Sequence, residues 1–309
     1  MRIFLVSANT AESPYPVYPL GMGIVAHALM RAGHSVRQFD FLQAGRSCER
    51  LRAALREASP ELVGISVRNI DNVNLVHEQR YLSVVRDIVR EIRSVTGVPV
   101  LLGGSGFSVM PEAVLEAVQA DYGIVGESEW AVVDFVERLS RGQTPQERCV
   151  RPSGVLPGDD ISPACYDPRI MQFYLGRGNM APIQTKRGCT YRCVYCTYPL
   201  LEGRTLRPRP AVDVVDDIGH LVNGHKAGYI FFTDSVFNDD RGHYRDILNE
   251  MKRRRLSVSW TAFIKPGRLS DSDVLLMKQT GLKAVELGSD AASDTALEGM
   301  GKDFLFSDV

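Results

Sequence analysis

The sequence has almost no net charge: 36 Lys and Arg against 37 Asp and Glu leave −1 over 309 residues. A chain so balanced has no global field to hold nucleic acid or an anionic membrane, and any such contact would have to be local. Its sharpest basic run, Lys252 to Arg255 in "MKRRRLSV", reads as the solvated end of a helix, where cations meet the negative end of the dipole. Long apolar runs are missing too. No stretch approaches the ~20 residues of a membrane span, and the N-terminal "MRIFLVSANT" is strand-like rather than the core of a signal peptide. A cytoplasmic location is expected. Cysteine is scarce: six in 309 residues cannot build a disulfide scaffold. Cys48, Cys149 and Cys165 lie apart and read as ordinary buried thiols. What the chain does have is 44% hydrophobic residues beside 24% charged ones, enough for a packed core and, by length, about two domains.

The first half alternates strand and helix. "RIFLVS" (2–7) has strand chemistry, and "GMGIVAHALMRAGH" (21–34) has helical apolar spacing with a Gly33 stop. "SVRQFDF" predicts a strand, "CERLRAALREA" a helix, "ELVGISV" (61–67) a buried strand and "VHEQRYLSVVRDIVREIRSV" (76–95) one long helix. "VPVLLGG" (98–104), "PEAVLEAVQ", "DYGIVG" (121–126) and "SEWAVVDFVERLS" continue the pattern. Such repetition argues for an open, doubly wound, Rossmann-like parallel sheet with helices on both faces. Ligands then bind beyond the strands' carboxyl ends, in the loops near Ser7, Ser66, Gly103 and Gly126. "GGSGFS" (103–108) lets backbone N–H groups approach a phosphate or flat ring, although such glycines also serve tight turns alone. It is not a G-x-G-x-x-G fingerprint and lacks the strand-end acid for a ribose, which argues against a nicotinamide site.

These segments resemble the cobalamin-binding domain at the N-terminus of one class of radical S-adenosylmethionine (SAM) enzymes. The matching stretches are "YPLGMGIVAHALMRAGHSV" (18–36), "LVGISV" (62–67), "LLGGSGFSVMPE" (101–112) and "ADYGIVGESE" (120–129), across nearly all of residues 1–140. The resemblance implies cobalamin contacts from Leu20, Gly21, Ser66, Arg68, Gly103, Gly104, Ser105, Gly106, Gly126 and Glu127. One departure matters. The D-x-H-x-x-G motif that brings a histidine to cobalt in other cobalamin proteins is absent, and His27, His34 and His77 stand outside that context. No protein histidine is therefore expected on the corrinoid's lower face.

From Gly142 the pattern breaks into "GQTPQERCVRPSGVLPGDDISPACYDPR", rich in proline and glycine, so residues 1–141 read as one domain, 142–175 as a linker and 176–309 as a second domain. "APIQTKRG" (181–188) reads as a strand that delivers "CTYRCVYC", where Cys189, Cys193 and Cys196 form C-x3-C-x2-C. A structural zinc wants four ligands, and His220 and His225 lie past a proline-rich turn without partner spacing. Three thiolates on one short loop suit a [4Fe-4S] cluster whose fourth iron stays open.

The stretch resembles the radical SAM signature C-x3-C-x-aromatic-C, with Tyr195 at the aromatic position. By that family's mechanism the open iron binds the amino and carboxylate groups of SAM, and an electron from the cluster cleaves the sulfonium bond to a 5′-deoxyadenosyl radical. "GRTLRPRPAVDVVDDIGHLV" (203–222) resembles the turn and helix after the cluster loop. "GYIFFTDSVFND" (228–239), "VSWTAFIKPGRLS" (258–270) and "KAVELGSDAASDTALEGMGKDF" (283–304) resemble the next barrel strands. The resemblance implies SAM contacts from Tyr195, Thr233, Asp234, Glu286 and Ser289. Asp234 and Glu286 could equally hold strand-end loops by hydrogen bonds, and their place at a carboxyl rim is what favours contact with a ligand.

Four strands are countable between Pro182 and Leu287, against eight in a full barrel of about 250 residues. The second domain is thus expected to be a partial (βα) barrel that stops early, as a fragment or as one of two polypeptides. The expected activity is that of a cobalamin-dependent radical SAM enzyme. Methyl transfer to an unactivated carbon or phosphorus through SAM cleavage and methylcobalamin is the leading form, and rearrangement or cyclisation without net methyl transfer the second. A cofactor-binding protein without turnover is the alternative of another class. Expected partners are a small-molecule, lipid or natural-product substrate and an external electron donor such as flavodoxin or ferredoxin, with no nucleic acid.

Overall fold

The structure is a computed structural model describing residues 1–72, 74–267 and 269–309. The chain divides into two units: Met1–Val155 with Ser162–Phe173, and Leu156–Ile161 with Tyr174–Val309. Residues that read as linker are thus shared between the units.

The first unit runs β1 (Arg2–Ser7), α1 (Leu20–Arg31), β2 (Ser35–Asp40), α2 (Cys48–Ala58), β3 (Leu62–Ser66), α3 (Leu82–Val95), β4 (Val100–Gly103), α4 (Ser105–Val109), α5 (Pro111–Val118), β5 (Tyr122–Ile124), α6 (Glu129–Ser140) and β6 (Cys149–Val150). Its strands form one parallel sheet in the order β2-β1-β3-β4-β5-β6. The doubly wound sheet expected from the alternation is present. Central strands are apolar without alternation because both faces are covered: Phe4, Val6, Val63, Ile65, Val100 and Leu102 are buried on one face and Ile3, Leu5, Leu62 and Leu101 on the other. α1 packs with α6, while α3 packs with α2 and α5. This order reverses direction between β1 and β3, which opens a crevice at their carboxyl ends.

Two expectations for this unit change. α3 begins at Leu82, six residues after the predicted start at Val76. Upstream of it the Asn72 side chain accepts from the N–H of Asn74 and Gln79, and that of Asn74 from the N–H of Val76 and His77. These asparagines offer the backbone a turn in place of a helix. The short β6 also pairs with β5 inside a stretch without sequence periodicity, through Val125 N–H to the Val150 carbonyl at 3.0 Å.

The unit boundary falls within α7 (Pro168–Gly178). The second unit then contains β7 (Met180–Ile183), β8 (Lys186–Arg187), α8 (Tyr198–Glu202), β9 (Arg207–Pro208), α9 (Ala211–Gly224), β10 (Tyr229–Phe232), α10 (His243–Arg253), β11 (Ser259–Ile264), α11 (Asp271–Gln279), β12 (Leu282–Leu287) and α12 (Asp294–Gly299). Parallel strands in the order β12-β11-β10-β7 form its main sheet, and β8 and β9 a small antiparallel pair. These are the four barrel strands expected. Ile230, Phe232, Trp260, Ala262 and Ile264 are buried, with Phe232 stacked on Phe237 at 4.6 Å. β12 is an edge strand whose Val285 and Leu287 are each 42% exposed.

The predicted strand over 181–188 is broken. Ile183 ends β7, and after Gln184 and Thr185 the chain changes sheet into β8. The basic run at Lys252 is a helix end, with Arg253 and Arg254 both paired to Glu250. Among the described residues no helix is long and apolar enough to cross a membrane.

Candidate functional site

In the second unit the three clustered cysteines occupy the loop between β8 and α8. Gly188, directly before Cys189, has φ +86° and sits so close to the Thr205 carbonyl that a Cβ would lie 2.1 Å from its oxygen. Only glycine makes that turn. The Gly188 N–H donates to Glu202 Oε2 at 3.2 Å and the Cys189 N–H to the Gly203 carbonyl at 3.2 Å, so the end of α8 anchors the start of the loop. Farther along, the Cys196 N–H donates to the Cys193 carbonyl at 3.2 Å.

All six cysteines are free thiols. Burial pushes the Cys189 thiol up, and the neighbouring Cys196 and Cys193 push it further, so the three sulfurs feel one another. Among the described residues no group of three His, Cys, Asp or Glu side chains closes on a single metal ion. A cubane cluster is larger than one ion and ties thiolates that stand farther apart. Three partly exposed thiols on one loop match that donor set. A cavity of about 90 Å³ opens beside Cys189, lined also by Tyr191, Asp239, Asp240 and Arg241.

The loops around the cysteines are pinned by buried charge. Asp234, 1% exposed, accepts from Thr185 N–H at 2.7 Å, Thr185 Oγ1 at 2.5 Å and Lys186 N–H at 3.2 Å. Its carboxylate holds the break between β7 and β8, the second role the sequence allowed. Burial raises its pKa, against the opposing pull of Lys186. The Lys186 ammonium donates to Asp239 Oδ2 and to the Phe237 carbonyl, each at 2.7 Å. Asp239 lies on the cavity wall, so Lys186 links the root of the cysteine loop to that wall. His243 Nε2 donates to the Arg209 carbonyl at 2.7 Å, and burial lowers the imidazole's pKa, with Lys186 adding to the effect.

A second clamp joins the cysteine loop to the end of β12. The Tyr195 hydroxyl donates to Asp290 Oδ2 at 2.5 Å, Lys302 Nζ reaches the same oxygen at 2.5 Å, and Val194 N–H donates to the Met300 carbonyl at 3.0 Å. Lys265 stands 3.8 Å from the centre of the Tyr191 ring and pairs with Asp303. Thr233 sits at the end of β10, its N–H and hydroxyl both on the Ile183 carbonyl. Strand register pairs Glu286 with Phe263, and Glu286 is exposed; Ser289 follows the strand, half-buried. Lys186, Glu202, Lys265 and Lys302 were missed by sequence reasoning. The one available signal was a lysine three residues after the apolar strand end "API", on the approach to the cysteines.

In the first unit the expected cobalamin contacts gather at the sheet's carboxyl edge. Gly104 has φ +100°, and a Cβ there would come within 2.6 Å of the Val67 carbonyl oxygen, so the β4 loop lies directly on the β3 loop. The Gly106 N–H donates to the Val67 carbonyl at 2.9 Å and Ser105 Oγ to the Arg68 carbonyl at 2.9 Å. Ser108 Oγ accepts from the Gly126 N–H at 2.8 Å, tying in the loop that carries Glu127. Gly103 and Gly21, by contrast, face open space: a Cβ on either would meet nothing within 4 Å. Leu20 opens α1 beyond β1, and Ser66 ends β3. This rim can receive a broad, flat group. His34 lies at the opposite end of the sheet, 3.3 Å from the terminal amine of Met1, and His77 sits on an exposed turn.

Comparison with known proteins matches the B12 binding domain family to residues 6–136 and the Radical SAM superfamily to residues 183–308. The chain is 24% identical to a tryptophan 2-C-methyltransferase of Streptomyces laurentii, over 96% of this chain and 61% of that protein. It is 24% identical to the anaerobic magnesium-protoporphyrin IX monomethyl ester cyclase of Rubrivivax gelatinosus, over 98% of this chain and 58% of the cyclase. Among solved structures it resembles the radical SAM methyltransferase TsrM of Kitasatospora setae with tryptophan and a SAM analogue bound. The TM-score is 0.86 and the identity 26%, over 99% of this chain and 63% of TsrM. The same enzyme has been solved with cobalamin and a [4Fe-4S] cluster. The chain thus spans about 60% of the length of these relatives.

Proposed function

Because residues 183–308 match the Radical SAM superfamily and residues 6–136, ahead of them, the B12 binding domain family, we propose that this chain is a cobalamin-dependent radical SAM enzyme that transfers a methyl group to a small molecule. The observation that carries the reading is the pairing, in one chain, of a three-thiol loop with no fourth protein ligand among the described residues and a glycine-lined rim at the carboxyl edge of a parallel sheet. When bound, the cluster supplies the electron that opens SAM and the corrinoid carries the methyl group.

Cys189, Cys193 and Cys196 would hold the cluster. Tyr195, Thr233, Glu286 and Ser289 remain the proposed SAM contacts, with the cavity wall at Asp240 and Arg241 added to them. Asp234 acts behind these, by fixing the strand break from which the cysteine loop starts. Leu20, Gly21, Ser66, Arg68, Gly103, Gly104, Ser105, Gly106, Gly126 and Glu127 would line the corrinoid. The chain's own work is to bring these groups to the reacting atoms and to exclude water. An external donor such as flavodoxin or ferredoxin would deliver the electron.

The test is anaerobic reconstitution of the chain and of Cys193→Ala with iron and sulfide, followed by incubation with SAM and cobalamin. The parent chain should gain a cluster and consume SAM. Cys193→Ala should do neither yet still bind cobalamin, and SAM cleavage by that variant would overturn the assignment. Similarity to the cyclase supports a second reading, in which the same cofactors drive ring closure without net methyl transfer. Methyl-labelled SAM with tryptophan as the first probe separates the two. Label in a product supports methyl transfer, while 5′-deoxyadenosine with no label transferred supports the cyclase-like reading.

A further inference from the structure

Asn9, directly beyond β1, lies where the strand order reverses. The Ala8 N–H donates to the Ser66 carbonyl at 3.2 Å, so the chain stays beside β3 until the residue before Asn9. Arg46, from the loop after β2, holds the next turn through the Thr10 carbonyl at 3.1 Å and Glu12 at 2.5 Å. Asn9 is 6% exposed. Its Oδ1 accepts from the Ala11 N–H at 3.4 Å, and a flipped amide would set donor against donor, which orients the group. The other end of the amide is unmatched: Nδ2 is buried with no hydrogen-bond partner among the described residues. A buried donor without a partner is costly, and native proteins rarely keep one without a reason. At the crevice of a doubly wound sheet the expected reason is a ligand. Gly21 and Gly103, both open to empty space, belong to the same carboxyl edge.

We infer that Asn9 Nδ2 donates a hydrogen bond to an oxygen of the corrinoid bound at this edge, either a corrin side-chain amide carbonyl or the phosphate of the nucleotide loop. The inference rests on the cobalamin reading above. It adds to the rim's proposed contacts a buried side-chain donor placed where the strand order reverses.

The experiment is equilibrium titration of the full chain, Asn9→Asp and Asn9→Leu with hydroxocobalamin. Asn9→Asp keeps the shape and the acceptor for Ala11 while replacing the donor, so it guards against a folding defect in Asn9→Leu. Circular dichroism and iron–sulfur loading of the second unit check that both variants are folded. Each variant should bind cobalamin about tenfold more weakly than the parent chain. Affinity of Asn9→Asp within twofold of a parent chain that binds would overturn the inference and leave the cobalamin reading standing. A parent chain that binds no cobalamin would overturn both. Repeating the titration with cobinamide, which lacks the nucleotide loop, identifies the acceptor. A penalty that persists points to a corrin amide, and one that vanishes points to the phosphate.

Discussion

The two units use one architectural rule, a parallel sheet with its candidate site residues at the carboxyl edge, but they fix those residues by opposite means. The first unit relies on close backbone contact: Gly104 and Gly106 let the β4 loop rest on Val67 and Arg68, and few charged side chains are buried there. The second unit buries Lys186, Arg187, Arg207, Arg209, Asp234, Asp239 and Lys265 around the cysteine loop. A large macrocycle asks for a smooth, broad rim, which glycine supplies. A charged cluster and a charged cosubstrate ask for loops held against electrostatic disturbance, which buried ion pairs supply at the cost of sensitivity to any missing partner.

The sharpest way to break this comparison is Lys186→Met. The side chain is 1% exposed, and its loss strands Asp239 and Asp234 without their cation. The second unit should lose roughly 3–5 kcal/mol. Urea unfolding should show its transition shifted and cluster loading lost, while the first unit still binds cobalamin. Equal damage to both units would show that they do not separate as described.

Gly104→Ala is the mirror test. It puts a methyl group 2.6 Å from the Val67 oxygen in a left-handed backbone and should cost roughly 1–3 kcal/mol. The first unit's unfolding transition should fall and its cobalamin affinity with it, while iron loading is unchanged.

Acid gives the smallest contrast. His243 is buried neutral, so its folded pKa lies below the unfolded value of about 6.5. Between those values the unfolded chain binds more protons, and the second unit loses stability as pH falls below about 6.5. Asp273, held below the usual carboxylate range by Arg245, adds its own loss below about pH 4. His34 in the first unit is also lowered, by burial and the nearby amine, but it is partly exposed. The second unit's transition should therefore shift first in a pH series, and His243→Gln should reduce that shift.

Much of this was legible before any coordinate. Strand and helix alternate with different local periods, so "RIFLVS" and "ELVGISV" declared a parallel sheet. The failures were local conflicts. Asn72 and Asn74 captured backbone N–H groups and delayed α3 to Leu82. Asp234 pulled Thr185 and Lys186 out of line and split one expected strand into two.

By itself the sequence determined the alternation that makes the first sheet, the four strands of the second, and the spacing of the three-thiol loop. Those are matters of spacing along the chain, which short-range sterics and ligand counting decide. Only the tertiary structure decided that Asp234 serves a strand break 49 residues away, that Lys186 reaches Asp239, and that Asn9 keeps a buried donor unmatched. A partner chosen across the fold leaves no periodic trace, because its selection depends on which loops the packed sheet brings to one edge.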